Sequence, residues 1–170
     1  MNKRNEERNT YVKKQLTTTL IRLMKEKKFE EITVSELTEQ AGVGRVSFYR
    51  NYTDMKDILK QESDRLMKES GKYPKEEGTP SYFVFFDFLR ENKDFYITLF
   101  QSGLSDIIKD SIIKSADITE DSPNLEAYLK SFWAYGLYGW ITEWINRGMR
   151  EDSEEIFRLF QTAQMKKEDH

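Results

Sequence analysis

Between Thr33 and Tyr52 the chain has room for only two short helices and a turn between them. Thr33-Val-Ser-Glu36 has the spacing of a capping box, in which the Thr33 hydroxyl takes the third helical N–H and Glu36 reaches back. Val34, Leu37 and Ala41 share one face of the helix that starts there. Gly42 ends it where the backbone must turn left-handed. Val43 and Gly44 make the turn, and residues 45–51 supply barely two further helical turns. Two helices joined through a glycine-containing turn form the layout whose second helix can enter a major groove ~12 Å wide. Arg45, the first outward residue of that helix, would reach base edges, because its fork matches the two acceptors of guanine. Ser47, Tyr49, Arg50 and Asn51 are donors of the kind phosphates use, and Val46 can touch a thymine methyl or pack. Thr33 and Ser35 stand at the preceding helix's positive end. Such hairpins also occur in all-α proteins that never meet DNA. Val34, Leu37, Ala41, Val43 and Phe48 are expected in the core whatever the function.

The rest of the chain reads as helix throughout, giving an all-α fold of about nine helices and no strand. Val12, Leu16, Leu20 and Leu23 mark one face of a first helix over about 9–27, followed by a break at 28–32. Thr53-Asp-Met-Lys56 opens a longer helix with Met55, Ile58, Leu59, Glu62 and Leu66 at helical spacing. Gly71, Pro74, Gly78 and Pro80 then fall within ten positions and mark the domain boundary. Beyond it, helices are expected over 81–91, 95–101, 104–116, 125–146 and about 153–165. Pro123 suits the first turn of the longest, and Gly148 stops it. The division is a head at 1–52, a connecting helix at 53–70 and a body at 80–170.

Composition removes whole classes of chemistry. There is no cysteine, and the one histidine is His170. Disulfides, thiolate nucleophiles and Cys-type metal sites are excluded, and His-based catalysis nearly so. Acid pairs one helical turn apart, such as Asp87 and Glu91, are common on surfaces, so no enzyme, cofactor or metal is expected. No apolar run approaches the roughly 20 residues that cross a bilayer, and the first nine residues carry no apolar segment. A cytoplasmic protein is the expectation. The net charge of −3 is uneven: residues 1–52 carry 11 Lys and Arg against 7 acids, and residues 53–170 carry 16 against 23. A local cationic patch attracts phosphate more than the total charge repels it. Seventeen of the 23 aromatic residues lie between Tyr82 and Phe160, so the body has far more ring surface to bury than the head.

The run from Thr33 to Tyr52, continued by Thr53-Asp-Met-Lys-Asp-Ile-Leu59, resembles the DNA-binding head of the TetR/AcrR family of transcriptional regulators. The Ala-Gly-Val turn, the Phe48-Tyr49 pair and the start of the fourth helix all occur in register, and the similarity covers about residues 9–66. It implies a three-helix head, a connecting helix, and a helical body that dimerises and often binds a small molecule. By position, Arg45 matches the leading base contact, Ser47, Tyr49, Arg50 and Asn51 match groove and phosphate contacts, and Thr33 and Ser35 match phosphate contacts of the second helix. Two positions depart from the family pattern. Gly44 stands where Ser or Thr usually caps the recognition helix, and Met55 where a lysine usually grips phosphate, with Lys56 next door as its substitute.

The body run Phe132-Trp-Ala-Tyr-Gly-Leu-Tyr-Gly-Trp-Ile-Thr-Glu-Trp144, with Gly148 and Ser153-Glu-Glu-Ile156, is similar to one C-terminal subgroup of the same family. Independently of that, Gly136 and Gly139 inside a helix each cost about 1 kcal/mol relative to alanine, which calls for a packing reason. Close approach of a second copy through the last two helices, involving Phe157 and Phe160, is the expectation, with an intramolecular contact as the alternative. Phe83, Phe86, Phe95, Phe100, Trp133 and Trp140 are candidate walls for a small apolar or aromatic effector, and equally candidates for plain core. The functional expectation is a homodimeric, sequence-specific regulator on a pseudo-palindromic double-stranded DNA site, acting by repression. The alternative is a regulator with a weakened head that works through a protein partner.

Overall fold

The computed structural model describes residues 3–72 and 81–165, without the side chains of 3–4, 81–84, 157, 160, 161 and 163–165. Among the described residues there are nine α-helices, one 3-10 turn and no strand. The head comprises α1 (Lys3–Glu26), the 3-10 turn Phe29–Glu31, α2 (Val34–Gln40) and α3 (Arg45–Asn51). The connecting helix α4 (Met55–Ser70) leads to the body, α5 (Ser81–Glu91), α6 (Lys93–Gln101), α7 (Asp106–Ser115), α8 (Asn124–Asn146) and α9 (Ser153–Met165). Of the expected boundary at Gly71–Pro80, residues 73–80 lie outside the described residues.

Local chemistry accounts for most of the ends. The Thr33 hydroxyl accepts from the Glu36 N–H at 3.2 Å, as a capping box requires. The second half of the box is used differently: the Glu36 carboxylate pairs with Lys27 at 2.6 Å and ties α2 to the end of α1. Asp54, rather than Thr53, caps α4, accepting from the Asp57 N–H at 2.8 Å. Asp152 caps α9 in the same way. Pro123 stands just before α8 instead of within its first turn. The largest departure is at α1, which begins at Lys3, six residues before the expected start at about residue 9. Residues 3–8 are charged or amide-bearing, so no periodic apolar signal marks them.

The buried side chains form one continuous cluster from Leu16 in α1 to Ile156 in α9. Within it, α4 packs on α1 on the head side and on α5 and α7 on the body side, the α4–α7 contact being the most extensive. Ile58, Leu59 and Leu66 are its buried apolar residues. Polar ties reinforce the junction. Ser111 donates to the Asp64 carboxylate at 2.9 Å, and Lys114 pairs with its other oxygen. A second tie, Lys25 to Asp94 at 2.8 Å, joins α1 to α6.

Burial raises the Asp64 carboxyl, but the hydrogen bonds from Lys114 and Ser111 outweigh it and hold the group below its ordinary 3.8. A depressed carboxylate stabilises the fold above its unfolded pKa and loses that contribution as pH falls through the folded one. Asp64→Asn is therefore expected to lower the melting temperature by about 2–4 °C at pH 7. The gap to the parent protein should shrink as the pH drops below 3.8. Denaturation followed by circular dichroism across pH 7 to 3 checks both the size and the sign.

Candidate nucleic-acid interface

Helix α3 is seven residues long, about 10 Å, and a helix so short holds its shape only by packing. Phe48 does this: it is completely buried, with its ring edge-on to Tyr49 at 5.0 Å and tilted against Tyr52 at 6.1 Å. Tyr52 ends the helix and is itself held from several sides. Lys13 of α1 lies over its ring at 5.6 Å and donates to Gln61 of α4 at 3.0 Å. Gln61 in turn donates to the Asn51 carbonyl at 3.2 Å. Burial pushes the Tyr52 phenol up to about 12, partly opposed by its hydrogen bond with Thr17. These pairings of Lys13 and Gln61 carry no sequence signal, because their partners are 10 to 48 positions apart.

The turn before α3 sets its direction. Ala41 closes α2, Gly42 takes φ +62°, and the Val43 N–H returns to the Thr38 carbonyl at 2.9 Å while its side chain enters the core. Gly44 is extended and offers no side chain as a cap. Its carbonyl accepts from the Ser47 and Phe48 N–H groups at 2.9 and 3.2 Å.

With Phe48 inward, Arg45, Val46, Tyr49 and Arg50 form one outward face. Val46 is 73% and Tyr49 62% exposed, which hydrophobic burial alone would disfavour. Arg45 folds back so that its guanidinium donates to the Ser35 hydroxyl, bringing the first residues of α3 and α2 together. Thr33 and Ser35 are exposed beside it. Ser47 and Asn51 are half-buried on the flank toward α1, linked by an Asn51 side-chain bond to the Ser47 carbonyl at 2.8 Å. At the start of α4, Met55 is half-buried against the core, whereas Lys56 is exposed.

The body residues separate into two groups. Phe86 is buried edge-on to Trp144 at 5.3 Å, Phe95 is buried beside Tyr96 at 5.4 Å, and Phe100 stacks on Tyr138 at 6.5 Å. Trp140 is half-buried against the same core. Trp133, by contrast, is 58% exposed and faces outward with Phe132. The side chains of Phe83, Phe157 and Phe160 lie outside the described residues. Helix α8 is apolar nearly all round. Ala134, Ile141 and Ile145 face the core, while Leu125, Tyr128, Leu129, Phe132, Trp133 and Tyr135 stand in water. Gly136 and Gly139 lie within this outer face, and a methyl group added to either would meet nothing within 4 Å. Among the described residues no group of acids or histidine could hold a metal ion, and no helix is long and apolar enough to cross a membrane.

Gly42 has open space around its Cα, so its requirement is conformational and not steric. Gly42→Ala is expected to destabilise the head by about 1–2 kcal/mol, the cost of an L-residue in the left-handed region. Urea unfolding followed by far-ultraviolet circular dichroism should show it as a lower midpoint with an unchanged slope.

Comparison with known proteins bears on both parts of the chain. No curated protein matches it. Its fold is similar to that of a solved protein, Lin0861 from Listeria innocua, with a TM-score of 0.68 and 19% identity, over 93% of this chain and 91% of that one. At that identity the likeness concerns the fold alone. A TetR-type family described as "Transcriptional regulator C-terminal region" matches residues 79–166, which takes in the body from α5 to the end of α9. The chain thus belongs to the TetR family of transcriptional regulators.

Proposed function

We propose that this regulator binds a pseudo-palindromic DNA site as a homodimer in the cytoplasm and represses transcription by occupying it. The observation that carries DNA binding is the outward face of α3. Arg45, Val46, Tyr49 and Arg50 are exposed together on a helix anchored from behind by Phe48. A seven-residue helix held this way fits a major groove ~12 Å wide, with Arg45 at the end that enters first. Thr33, Ser35, Ser47, Asn51 and Lys56 flank that face as phosphate contacts. Release of Arg45 from the Ser35 hydroxyl would free both groups for DNA at once.

Dimerisation is supported by the outer face of α8. Each large apolar side chain withdrawn from water contributes about 1.5–3 kcal/mol, so six of them in eleven residues call for a cover. The glycines specify what kind. Among the described residues, a methyl group added to Gly136 or Gly139 would strike nothing within 4 Å, so an intramolecular contact there does not account for them. A second α8 crossing there does, with Phe157 and Phe160 of α9 completing a four-helix bundle. An effector, on this reading, is a small apolar or aromatic molecule that opens the packing around Phe86, Phe95, Phe100 and Trp140 and changes the spacing of the two heads.

Selection of bound duplexes from a random DNA pool tests the function directly, and a two-fold symmetric site is the expected product. Affinity should fall steeply with salt, with a log–log slope of about −0.9 per phosphate contact. A protein that acts through a protein partner alone would recover no site. Arg45→Ala is expected to relax base preference at one position of each half-site, at a cost of about 1–3 kcal/mol per contact. Gly136→Ala separates the two accounts of α8. It should stabilise an isolated chain by about 1 kcal/mol through helix propensity, yet weaken the dimer measured by sedimentation equilibrium.

A further inference from the structure

Beside the outward face of α3 lies a cleft of about 540 Å³ whose other wall is the beginning of α1. It is lined by Asn5, Arg8, Asn9 and Lys13 from α1 and by Ser47, Arg50 and Asn51 from α3, with Glu6, Thr10 and Val12 also contributing. The α1 wall continues the stripe that buries Leu16, Leu20 and Leu23. Stepping back by three and four residues leads through Val12 to Asn9, Arg8 and Asn5, where apolar gives way to amide and guanidinium. Residues 5–10 are all exposed, so this part of the helix contributes nothing to the core.

We propose that the cleft seats the phosphodiester backbone of DNA beside the half-site, with Arg8 as a phosphate-binding residue that α1 adds to the recognition helix. The proposal rests on the DNA-binding reading of α3 and extends it to a second helix. Three cations stand against one acid in the lining, and most of the remaining members can donate to phosphate oxygens. The cations are differently placed. Lys13 is held by Gln61 and the Tyr52 ring and serves as a fixed floor. Arg8 and Arg50 are exposed at the rim, and neither belongs to an ion pair among the described residues. Arg50 lies on both the outward face of α3 and the cleft, so a backbone tracking past Arg50 enters the cleft from the groove side. Glu6 opposes a phosphate there and limits the affinity.

The test uses the full-length dimer and the duplex recovered by selection, with affinity measured by fluorescence anisotropy over a salt series. Arg8→Ala should weaken binding about tenfold per head, as loss of a charged hydrogen bond does. The log–log salt slope should flatten by about 1.8 for the two heads of a dimer, with base preference unchanged. Arg8→Lys should recover most of the slope, and Glu6→Gln should tighten binding. If the parent protein binds the duplex and Arg8→Ala matches it in affinity and slope, the cleft is not a phosphate site, and the role of α3 stands. If the parent protein binds no duplex at low salt, both readings fall together.

Discussion

The helix α4 is the constraint on which the molecule depends, because the same sixteen residues line the core of the head and the core of the body. Its apolar face packs against α1 at one side and against α5 and α7 at the other. A helix shared in this way cannot shift in one half without repacking in the other, since close-packed interiors transmit displacement instead of absorbing it. The polar ties sit at the same junction: Asp64 holds α7 through Ser111 and Lys114, and Lys25 to Asp94 holds α1 against α6. The orientation of α3 is thereby referred to the body through packed contacts and ion pairs. For a regulator whose two heads are proposed to read one DNA site, that reference is what would turn a change in the body into a change in head spacing.

Two short helices become a rigid reading surface by a division of labour among aromatic residues. Phe48 and Tyr52 go inward, and Tyr49 goes outward although it is adjacent to Phe48. The inward pair supplies burial that a seven-residue helix could not supply from its own hydrogen bonds. Lys13 and Gln61 then close the polar edge of that packing from two other helices. The outward residues stay exposed outside the core, which is the condition for a surface to be used for recognition. Among the described residues Arg45 bonds only to the Ser35 hydroxyl, and Tyr49 touches only the edge of the Phe48 packing. The departures from the family pattern fit the same view. Met55 contributes its side chain to the core in place of a cation at the surface, and the exposed cation at that end is Lys56.

The outer face of α8 follows a different logic. A helix apolar nearly all round is most stable when every side is covered, and among the described residues the chain covers one side, leaving the other to the proposed second copy. Gly136 and Gly139 lower helix propensity, and a methyl group added to either meets nothing within 4 Å among the described residues, which is the opening that the proposed dimer would use.

Much of this was legible in the amino-acid sequence, and for a definable reason. Capping residues, glycine turns and apolar periodicity act over one to four positions, so the Thr33 cap, the left-handed Gly42, the inward Phe48 and the order of helices could be read without coordinates. The family followed from the register of those same short-range features, and the match of the body region agrees with it. What the tertiary structure decided involves partners far apart in the chain. Glu36 turned to Lys27 instead of completing its box, Tyr52 was enclosed by Lys13 and Thr17, and Trp133 went to the outer face while Phe86 and Phe95 went to the core. The early start of α1 was hidden for a related reason: its first turns bury nothing, so they leave no periodic mark, and the cleft they form with α3 exists only once two segments some forty residues apart are packed together. Periodicity reports which side of a helix is apolar. Which neighbour that side meets is settled by packing, and packing is a property of the whole chain.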